Sequence, residues 1–287
     1  MNYRHAYHAG NFADVVKHAI LARVLTYMKQ KPQPFRIIDT HAGCGRYDLT
    51  SVEASKTNEW RDGIARLIDA DMPADVAVLL APYLDAVRSV NRPGELAIYP
   101  GSPLIAHFLM RPGDQLVANE LHGDDLEKLK SEFRRVEGTK VLGLDAWVAV
   151  KSLLPPTERR GVILIDPPYE SPDEFERLTE SLGNALRRFA NGVYLIWYPV
   201  KNQAASNRFV HDVSQLGCSK MLDVRLTISA PFAGLGLTET GLLILNPPFN
   251  LKGELEVLLP FLSELLAEGR GAGFRLVDAF NATPDIV

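Results

Sequence analysis

The residues best suited to chemistry form one short stretch, Asp166-Pro167-Pro168-Tyr169, directly after the apolar run of residues 161–165. That run does not alternate with polar residues, which is typical of a strand buried on both faces of a parallel sheet. Asp166 therefore lies at the carboxyl end of a predicted strand, where open α/β sheets bind ligands. Its carboxylate and the Pro167 carbonyl can accept two hydrogen bonds from one planar amino group. Tyr169 supplies a flat face on which a nucleobase can stack.

The sequence D-P-P-Y resembles the catalytic motif of methyltransferases that act on amino groups. The lone pair of adenine N6 is delocalised into the ring, so this nitrogen is a poor nucleophile. A protein that accepts both N6 hydrogens returns electron density to the nitrogen as it attacks the methyl group of S-adenosylmethionine. The motif alone also fits a strand that ends in an ordinary turn stiffened by two prolines.

A second apolar run, residues 241–245, ends in the similar sequence Asn246-Pro247-Pro248-Phe249. N-P-P-F is itself an accepted variant in this class of enzymes. A catalytic motif follows the cofactor-binding strands and precedes further strands and helices. Asp166 is placed in this way, whereas little chain follows Asn246. We therefore predict that residues 246–249 are the structural exit of the last strand.

Three further predicted strands, residues 34–39, 115–120 and 139–145, each end in a carboxylate. In nucleoside-binding sheets an acid at such a position accepts from the ribose hydroxyls, which predicts that role for Glu120. Asp145 is placed to accept from the adenine amino group of the cofactor. Four acids on successive strand ends would repel one another. Hydrogen bonds to a cofactor, and the positive sulfonium, would offset that repulsion.

The loop after the first predicted strand is rich in small residues at positions 42, 43 and 45. Small residues allow a sharp turn and a close approach to a ligand, as in the glycine-rich loop of S-adenosylmethionine-dependent methyltransferases. A plain turn or a dinucleotide loop remains open from this loop alone. A nicotinamide enzyme would require a third glycine, which is absent. Ser102 is predicted to cap a helix whose first residue is Pro103.

The segment before that first strand is rich in histidine and tyrosine, and it leads into a helix predicted to run to about Lys29. Asn11 is the predicted cap and Asp14 the acid of the first turn. No metal site is predicted, because no cysteine or close carboxylate cluster completes a ligand set. We expect residues 1–30 to face the cofactor and the substrate.

Residues 48–97 have the character of an insertion, with helices predicted at 58–70 and 74–90 from the spacing of their apolar residues. The predicted domains are therefore residues 1–47 with 98–287, and an inserted helical subdomain at 48–97. Later elements are a helix at 172–189, a strand at 192–198, a helix at 203–216 and an antiparallel hairpin at 220–229 and 239–246 around Gly234 and Gly236. A helix at 254–266 is expected to close the chain. This pattern predicts an α/β, Rossmann-like sheet of the class I methyltransferase type.

Composition restricts the class of protein further. The chain has 287 residues, 46% of them hydrophobic, which suffices for one large α/β domain with an insertion. Two cysteines form no disulfide framework, and no apolar run approaches the ~18 residues needed to span a membrane. We therefore expect a cytoplasmic protein without a membrane partner. The net charge of −4 does not favour RNA binding over the whole surface, so we predict a local basic patch around Arg4 and Lys17.

Four stretches together resemble the RlmJ family: H-A-G-N-x-A-D-V-x-K-H at 8–18, D-T-H-A-G-x-G-R-Y at 39–47, Y-P-G-S-P at 99–103, and G-V-I-L-I-D-P-P-Y-E at 161–170. Members of that family methylate N6 of one adenine in 23S ribosomal RNA and convert S-adenosylmethionine to S-adenosylhomocysteine. The resemblance runs through essentially the whole chain. It implies that Asp166 acts on the amino group and that Tyr3 approaches the target adenine. It also implies a set of residues that line the cofactor site: His18, His41, Ser102, Glu120, Asp145, Ala146 and Asp166.

Ala146 is one expected departure from the family pattern, because we expect related sequences to carry glycine at this position. We expect a monomer that acts on protein-free RNA or on an early assembly intermediate.

Two alternative functions stay open from the residues alone. A DNA adenine-N6 methyltransferase would share D-P-P-Y, although no target-recognition domain is evident. A glutamine-amide methyltransferase would need Asn246 to be catalytic. A non-catalytic RNA-binding module is a further alternative, of a different class, and predicts no S-adenosylmethionine binding.

Overall fold

The computed structural model describes residues 4–231 and 236–279. The strands are β1 Arg36–Asp39, β2 Arg46–Asp48, β3 Ile98–Pro100, β4 Gln115–Asn119, β5 Thr139–Leu142, β6 Gly161–Ile165, β7 Val193–Pro199, β8 Met221–Thr227, β9 Glu239–Leu245 and β10 Gly273–Asp278. The α-helices are α1 Phe12–Met28, α2 Val52–Thr57, α3 Arg66–Ile68, α4 Ala74–Ser89, α5 Ser102–Leu109, α6 Gly123–Glu132, α7 Ala146–Leu153, α8 Glu174–Arg188, α9 Gln203–Ser214 and α10 Leu251–Leu265. A 3₁₀ turn at His5–Tyr7 and a π-helical turn at Arg61–Ala65 complete the helical elements of the described ranges.

Eight of these strands form one sheet in the order β10-β8-β9-β7-β6-β1-β4-β5. The five strands from β7 to β5 are parallel, so their carboxyl ends meet at one edge, here called the carboxyl edge. Strand β9 lies antiparallel between β7 and β8, and β10 pairs antiparallel with β8. The predicted Rossmann-like sheet with an antiparallel hairpin is therefore confirmed.

The centre of the sheet is formed by strands whose side chains are apolar on both faces. In β6, residues 162–165 are each at most 1% exposed, and β1 lies in register between β6 and β4. Helices α1, α4, α5 and α10 cover one face and α7, α8 and α9 cover the other, each with its own cluster of buried apolar residues. A strand buried in this way holds the residue that follows it in a fixed position at the carboxyl edge.

Helix α1 begins where the sequence predicted. The Asn11 side chain accepts a hydrogen bond of 3.0 Å from the Asp14 amide, and Asp14 lies in the first turn. Nearly every residue of the helix is buried, including Lys17 and His18. Because the helix has no solvent-facing polar stripe at these positions, its polar side chains point into the protein rather than towards solvent.

Residues 48–97 leave and rejoin the rest of the chain through β2 and β3, which pair antiparallel with Tyr47 opposite Tyr99. The helix predicted at 74–90 is α4, but the single helix predicted at 58–70 is wrong. Asn58 has a φ of 54° and ends α2, and Gly63 is non-helical at φ −107° and ψ −107°. The apolar side chains of these helices share one core with α1, and the division into two domains stays a proposal.

The end of the chain also differs from expectation. Helix α10 does not close it, because β10 follows and adds an edge strand to the sheet. Most side chains of β10 are exposed or half-buried, so the strand has no unbroken apolar run to reveal it. Strand β5 ends at Leu142, three residues before the predicted end at Asp145. Gly234 of the predicted hairpin turn lies outside the described residues.

Cys44 and Cys218 are both free and buried. Within the ranges that the structure describes, no helix combines the length and the apolar character needed to cross a bilayer.

Candidate active site

A cavity of about 910 Å³ opens at the carboxyl edge of the sheet. Its wall combines the end of β6, the loop after β1, the start of α5 and the buried face of α1. These elements bring together eight residues that the sequence predicted for the site: Lys17, His18, His41, Ser102, Glu120, Asp166, Pro167 and Tyr169.

Three further predicted site residues, Arg4, Asp145 and Ala146, do not line the cavity. Asp145 accepts hydrogen bonds from the amides of Trp147 (3.0 Å) and Val148 (3.2 Å) and so caps α7, whose first residue is the buried Ala146. The ring of the neighbouring Trp147 lies 6.1 Å from that of His41, which lines the cavity. Arg4 pairs with Asp124 and Asp125 at 3.7 and 3.4 Å, and Tyr3 lies outside the described residues.

Lys17 is an internal cation and not part of a surface patch. It is 4% exposed, and its Nζ lies 2.8 Å from Asp14 Oδ1 and 2.5 Å from Asp166 Oδ2. Burial alone would lower the pKa of Lys17, but the two carboxylates outweigh it and raise that pKa above its ordinary value. The predicted basic surface patch around Arg4 and Lys17 is therefore wrong, because one member is buried and the other is neutralised by two aspartates.

The predicted row of acids is present at the carboxyl edge. Asp166, Asp39 and Glu120 follow or end the adjacent strands β6, β1 and β4, and Asp145 lies just beyond β5. Asp39 is 1% exposed, and burial, with the nearby charge of Asp166, raises its pKa to about 7 against the opposing effect of a hydrogen bond from Ser102. Four acids on neighbouring strands thus concentrate negative charge at this edge.

Ser102 does not cap α5 as predicted. The capping residue is Gly101, Ser102 is the first residue of the helix, and its hydroxyl donates to Asp39 Oδ2 at 2.6 Å. A shift of one residue therefore changes the role of the hydroxyl from a helix cap to a buried partner of a carboxylate in the cavity wall.

The loop after β1 approaches the cavity closely. Gly43 has a φ of +59°, and a Cβ at this position would lie 2.0 Å from the Tyr47 hydroxyl, so only glycine fits without a shift. Its amide donates to Glu120 Oε2 at 2.8 Å, while Glu120 Oε1 accepts from the His122 amide at 2.7 Å. Burial raises the pKa of Glu120 above its ordinary value. These bonds fix both the loop and the carboxylate.

Tyr169 is held by its hydroxyl and by two rings. The hydroxyl donates to the Trp197 carbonyl at 2.7 Å, and the ring centroids of Phe175 and Trp197 lie 5.2 and 5.7 Å away. The residue has a φ of 51°, in the left-handed region that a bulky side chain rarely adopts. An aromatic face is thus presented at the cavity in a conformation that its surroundings enforce.

Residues 32–277 match the protein family described as "Ribosomal RNA large subunit methyltransferase D, RlmJ". The chain belongs to the RlmJ family.

Relatives of this RlmJ family member cover almost its whole length. Ribosomal RNA large subunit methyltransferase J of Escherichia coli is 40% identical over 272 residues, which are 94% of this chain and 96% of the relative. The protein of the same name from Haemophilus influenzae is 38% identical over 275 residues, 95% of this chain and 96% of the relative. The crystal structure of protein LPL1258 from Legionella pneumophila is 33% identical, covers 94% of this chain and 98% of its own, and superposes with a TM-score of 0.86.

The second motif of this RlmJ family member lies at the opposite edge of the sheet. Because β9 runs antiparallel to β7, Asn246 follows the strand away from the cavity. Its Nδ2 donates to the carbonyls of Ala190 and Gly192, both at 2.7 Å. These contacts are structural, and they confirm that residues 246–249 form the exit of a strand, but that strand, β9, is not the last one as predicted, because β10 follows it.

Sequence reasoning missed Asp14 as part of the site in this RlmJ family member. Asp14 is 1% exposed, lines the cavity and accepts from the Gly10 amide (2.8 Å) and from His5 Nε2 (2.9 Å). With the Lys17 bond, it fixes the segment before α1 to the helix. The available signal was the spacing of Asp14, Lys17 and His18, which places all three on one face of a helix. No group of three His, Cys, Asp or Glu suited to a metal ion is found in the described part of the chain.

Proposed function

We propose that this chain transfers a methyl group from S-adenosylmethionine to the exocyclic N6 of one specific adenine in 23S ribosomal RNA. The observation that supports this most directly is the position of residues 166–169, at the end of β6 and in the wall of the carboxyl-edge cavity, in a member of the RlmJ family. The two relatives described above carry a name, ribosomal RNA large subunit methyltransferase J, that specifies the same class of substrate.

The cavity fits a nucleoside cofactor. Its volume of about 910 Å³ lies near the upper end of the range of ~300–1,000 Å³ typical of ligand sites. His18 Nε2 is buried without a hydrogen-bond partner at this wall, Gly43 keeps the loop open to a close approach, and Glu120 presents a carboxylate. We propose that these residues hold the cofactor, together with His41, Ser102, Asp145, Ala146 and Asp166. Since Asp145 Oδ1 caps α7, Oδ2 is the atom that accepts from the cofactor adenine.

S-adenosylmethionine, when bound, supplies an electrophilic methyl group. The chain itself must orient the amine that receives it. Asp166 Oδ2 is already bonded to Lys17, which leaves Oδ1 to accept one N6 hydrogen, and the Pro167 carbonyl accepts the other. Tyr169 stacks on the target base. Alignment of the amine supplies most of the rate, and the two acceptors add polarisation of the nitrogen. Asp166 need not be a strong base, because the proton becomes acidic once the nitrogen is methylated.

The target adenine must leave its helix, or be unpaired, to enter a cavity of this kind. We propose that the substrate is protein-free 23S RNA or an early assembly intermediate, and that the chain acts as a monomer in the cytoplasm, where ribosomal RNA is present. Tyr3 and Arg4 remain predicted contacts of the substrate, and Lys17 acts from inside the cavity through Asp166.

Methyl transfer from labelled S-adenosylmethionine to protein-free 23S RNA, DNA and total protein, measured in parallel, tests this function. We expect label only in the RNA, recovered after digestion as N6-methyladenosine. Label in DNA would favour the DNA adenine methyltransferase, and label in protein the amide methyltransferase. A chain that binds no S-adenosylmethionine would be the non-catalytic RNA-binding module, and each of these results would overturn the proposal.

A further inference from the structure

Three buried polar groups form a continuous hydrogen-bonded chain behind the cavity, here called the tyrosine–histidine chain. His18 Nδ1 lies 2.6 Å from the Tyr99 hydroxyl, which lies 2.9 Å from the Tyr83 hydroxyl. The three residues are at most 1% exposed. They come from different elements: Tyr83 from α4 of the insertion, Tyr99 from β3, and His18 from α1 at the cavity wall.

The number of hydrogens in this chain restricts which nitrogen of His18 is protonated. If the Tyr83 hydroxyl donates to Tyr99 and the Tyr99 hydroxyl donates to His18 Nδ1, both hydroxyl hydrogens have an acceptor. If Nδ1 carried the hydrogen instead, it would donate to Tyr99, and one of the two tyrosine hydroxyls would have no acceptor within the chain. Nε2 would in addition be a buried acceptor without a donor, so two buried groups would be unsatisfied, whereas the first arrangement leaves only the Nε2 hydrogen without a partner. The first arrangement is therefore favoured, and it places the imidazole hydrogen on Nε2.

The second nitrogen of His18 is then a hydrogen-bond donor without a protein acceptor. Nε2 is buried and has no hydrogen-bond partner, since the nearest carboxylate oxygen, Asp14 Oδ1, lies 4.0 Å away. That distance is too long for a hydrogen bond. Asp14 instead accepts from the Gly10 amide, His5 and Lys17. The ring of Tyr99 stacks on His18 at 5.7 Å and 27°, which fixes the plane in which Nε2 points.

We propose that Tyr99, supported by Tyr83, is a positioning residue that holds His18 as its Nε2–H tautomer, so that His18 donates a hydrogen bond to an acceptor oxygen of the bound cofactor. The inference rests on the proposed function, because the cofactor is the acceptor. Burial lowers the pKa of His18 to about 3, so the ring is neutral at pH 7 and has a single hydrogen to place. The inserted helices thereby contribute to cofactor binding through Tyr83, although no atom of that residue lines the cavity.

Substitution of the tyrosines separates this role from a purely structural one. Tyr99→Phe removes the donor to Nδ1 and leaves the Tyr83 hydroxyl without a partner, so both stability and cofactor affinity fall. The double variant Tyr83→Phe with Tyr99→Phe removes the unpaired hydroxyl as well and restores much of the melting temperature. It does not restore the tautomer. We expect S-adenosylhomocysteine to bind about tenfold more weakly to both variants, measured by calorimetry.

Tyr194→Phe is the matched control, because Tyr194 is equally buried and its hydroxyl donates to the Phe189 carbonyl at 2.8 Å in the other core cluster. It should change stability without changing the affinity for S-adenosylhomocysteine. If the double variant binds S-adenosylhomocysteine as tightly as the wild type, Tyr99 has no positioning role and the inference is overturned.

The tautomer itself is observable without a cofactor. Long-range ¹H–¹⁵N correlation spectra of protein labelled at histidine nitrogen distinguish the two ring nitrogens, and His18→Gln assigns the signals. We expect Nε2–H in the wild type and a mixture of tautomers in the double variant. A wild-type spectrum with Nδ1–H would overturn the inference alone. Failure of the wild type itself to bind S-adenosylhomocysteine would overturn the proposed function, and the cofactor's part in this inference with it.

Discussion

The ammonium group of Lys17 lies between two carboxylates and fixes the direction in which Asp166 points. Its Nζ contacts Asp14 at 2.8 Å and Asp166 at 2.5 Å, inside a helix that is almost completely buried. Removing one member of a buried ion pair leaves a charge without compensation, whereas a third member limits that loss. The three side chains therefore act as one unit in positioning the carboxylate at the cavity.

Asp166→Ala should abolish methyl transfer, lowering the rate at least about a thousandfold, while the protein stays folded. The acceptor of the target amine is lost, but Lys17 keeps its bond to Asp14. Transfer from labelled S-adenosylmethionine, together with circular dichroism, measures both effects. Asp173→Ala is the control, because this nearby carboxylate is exposed. Appreciable methylation by the Asp166 variant would contradict the assignment.

His41→Gln should make the protein less sensitive to mild acid. Burial lowers the pKa of His41 to about 4 against the opposing charges of Asp166 and Asp145. The unfolded chain takes up a proton below pH ~6.5 and the folded chain does not until about pH 4, so His41 reduces stability as the pH falls through this window. Between pH 7.5 and 5.5 the wild type should lose about 1 kcal/mol relative to the variant. Denaturant unfolding at both pH values measures this, and an unchanged difference would refute it.

For single residues, the sequence predicted those functional groups that lie next to one another in the chain. Residues 166–169 are adjacent, so their joint meaning was available before the fold. The partnership of Lys17 with Asp166 joins residues 149 positions apart, and only the packing of α1 against the carboxyl edge creates it. Ser102 was assigned to the wrong role by a single position, which is the usual uncertainty of a helix start.

Strand direction decides which of the two similar motifs faces the cavity. Asn246 follows an antiparallel strand and holds the carbonyls that precede β7. Asn246→Ala should therefore keep normal methyl transfer and lose about 1–2 kcal/mol of unfolding free energy, because the carbonyls of Ala190 and Gly192 lose a donor. Activity assays and denaturant unfolding test this directly. A folded variant with tenfold lower activity would restore the amide methyltransferase as an alternative.

The inserted segment, residues 48–97, is hydrogen-bonded to the segment before α1. The Ile64 amide donates to the Gly10 carbonyl at 2.8 Å, and Glu59 accepts from the Asn11 side chain at 3.0 Å. A Cβ at Gly63 would lie 2.1 Å from the Gly10 carbonyl oxygen, which is backbone and cannot move aside. The two segments therefore touch at a position where only glycine fits.

Gly63→Ala should destabilise the protein by about 2 kcal/mol or more, because the backbone at residue 63 must move away from the Gly10 carbonyl. Gly253→Ala is a matched control: this glycine lies in α10, and an added Cβ would meet nothing within 4 Å beyond its chain neighbours and the backbone of its own helix, so alanine should leave the melting temperature unchanged or raise it. Thermal melts of both variants test this. Equal melting temperatures would show that the contact at Gly63 is unimportant.

Helices and strands could be predicted where burial requires an unbroken run or a regular spacing of apolar residues. The central strands are apolar on both faces, and their runs stand out. Strands β2 and β3 have three residues each, and β10 is a largely exposed edge strand, so none has such a run. The kink at Gly63 depends on its contact with Gly10, which no periodicity along residues 58–70 encodes.

Because the chain is acidic overall, we expect it to contact RNA through a local positively charged side chain. Lys17 is buried and does not provide that contact. Lys201 is exposed and lines the cavity at the end of β7. Lys201→Glu should raise the KM for 23S RNA several-fold, more at low salt, and leave the affinity for S-adenosylhomocysteine unchanged. Lys220→Glu makes the same charge change at the opposite edge, before β8, and serves as the control. Equal effects of the two variants would exclude a specific contact at Lys201.

The whole molecule has a further property that follows from the β2–β3 ladder, in which Tyr47 lies opposite Tyr99. For the rest of the described chain, residues 49–97 are topologically equivalent to a hairpin turn, because Asp48 pairs with Ile98, so a two-residue connection would leave the paths of the described strands unchanged. Their length adds little loop-closure entropy, because that cost grows only slowly with length. Excision would nevertheless strip the cover from α1, since Leu80 and Tyr83 are buried in the same core. The segment is dispensable for the route of the chain and indispensable for its packing.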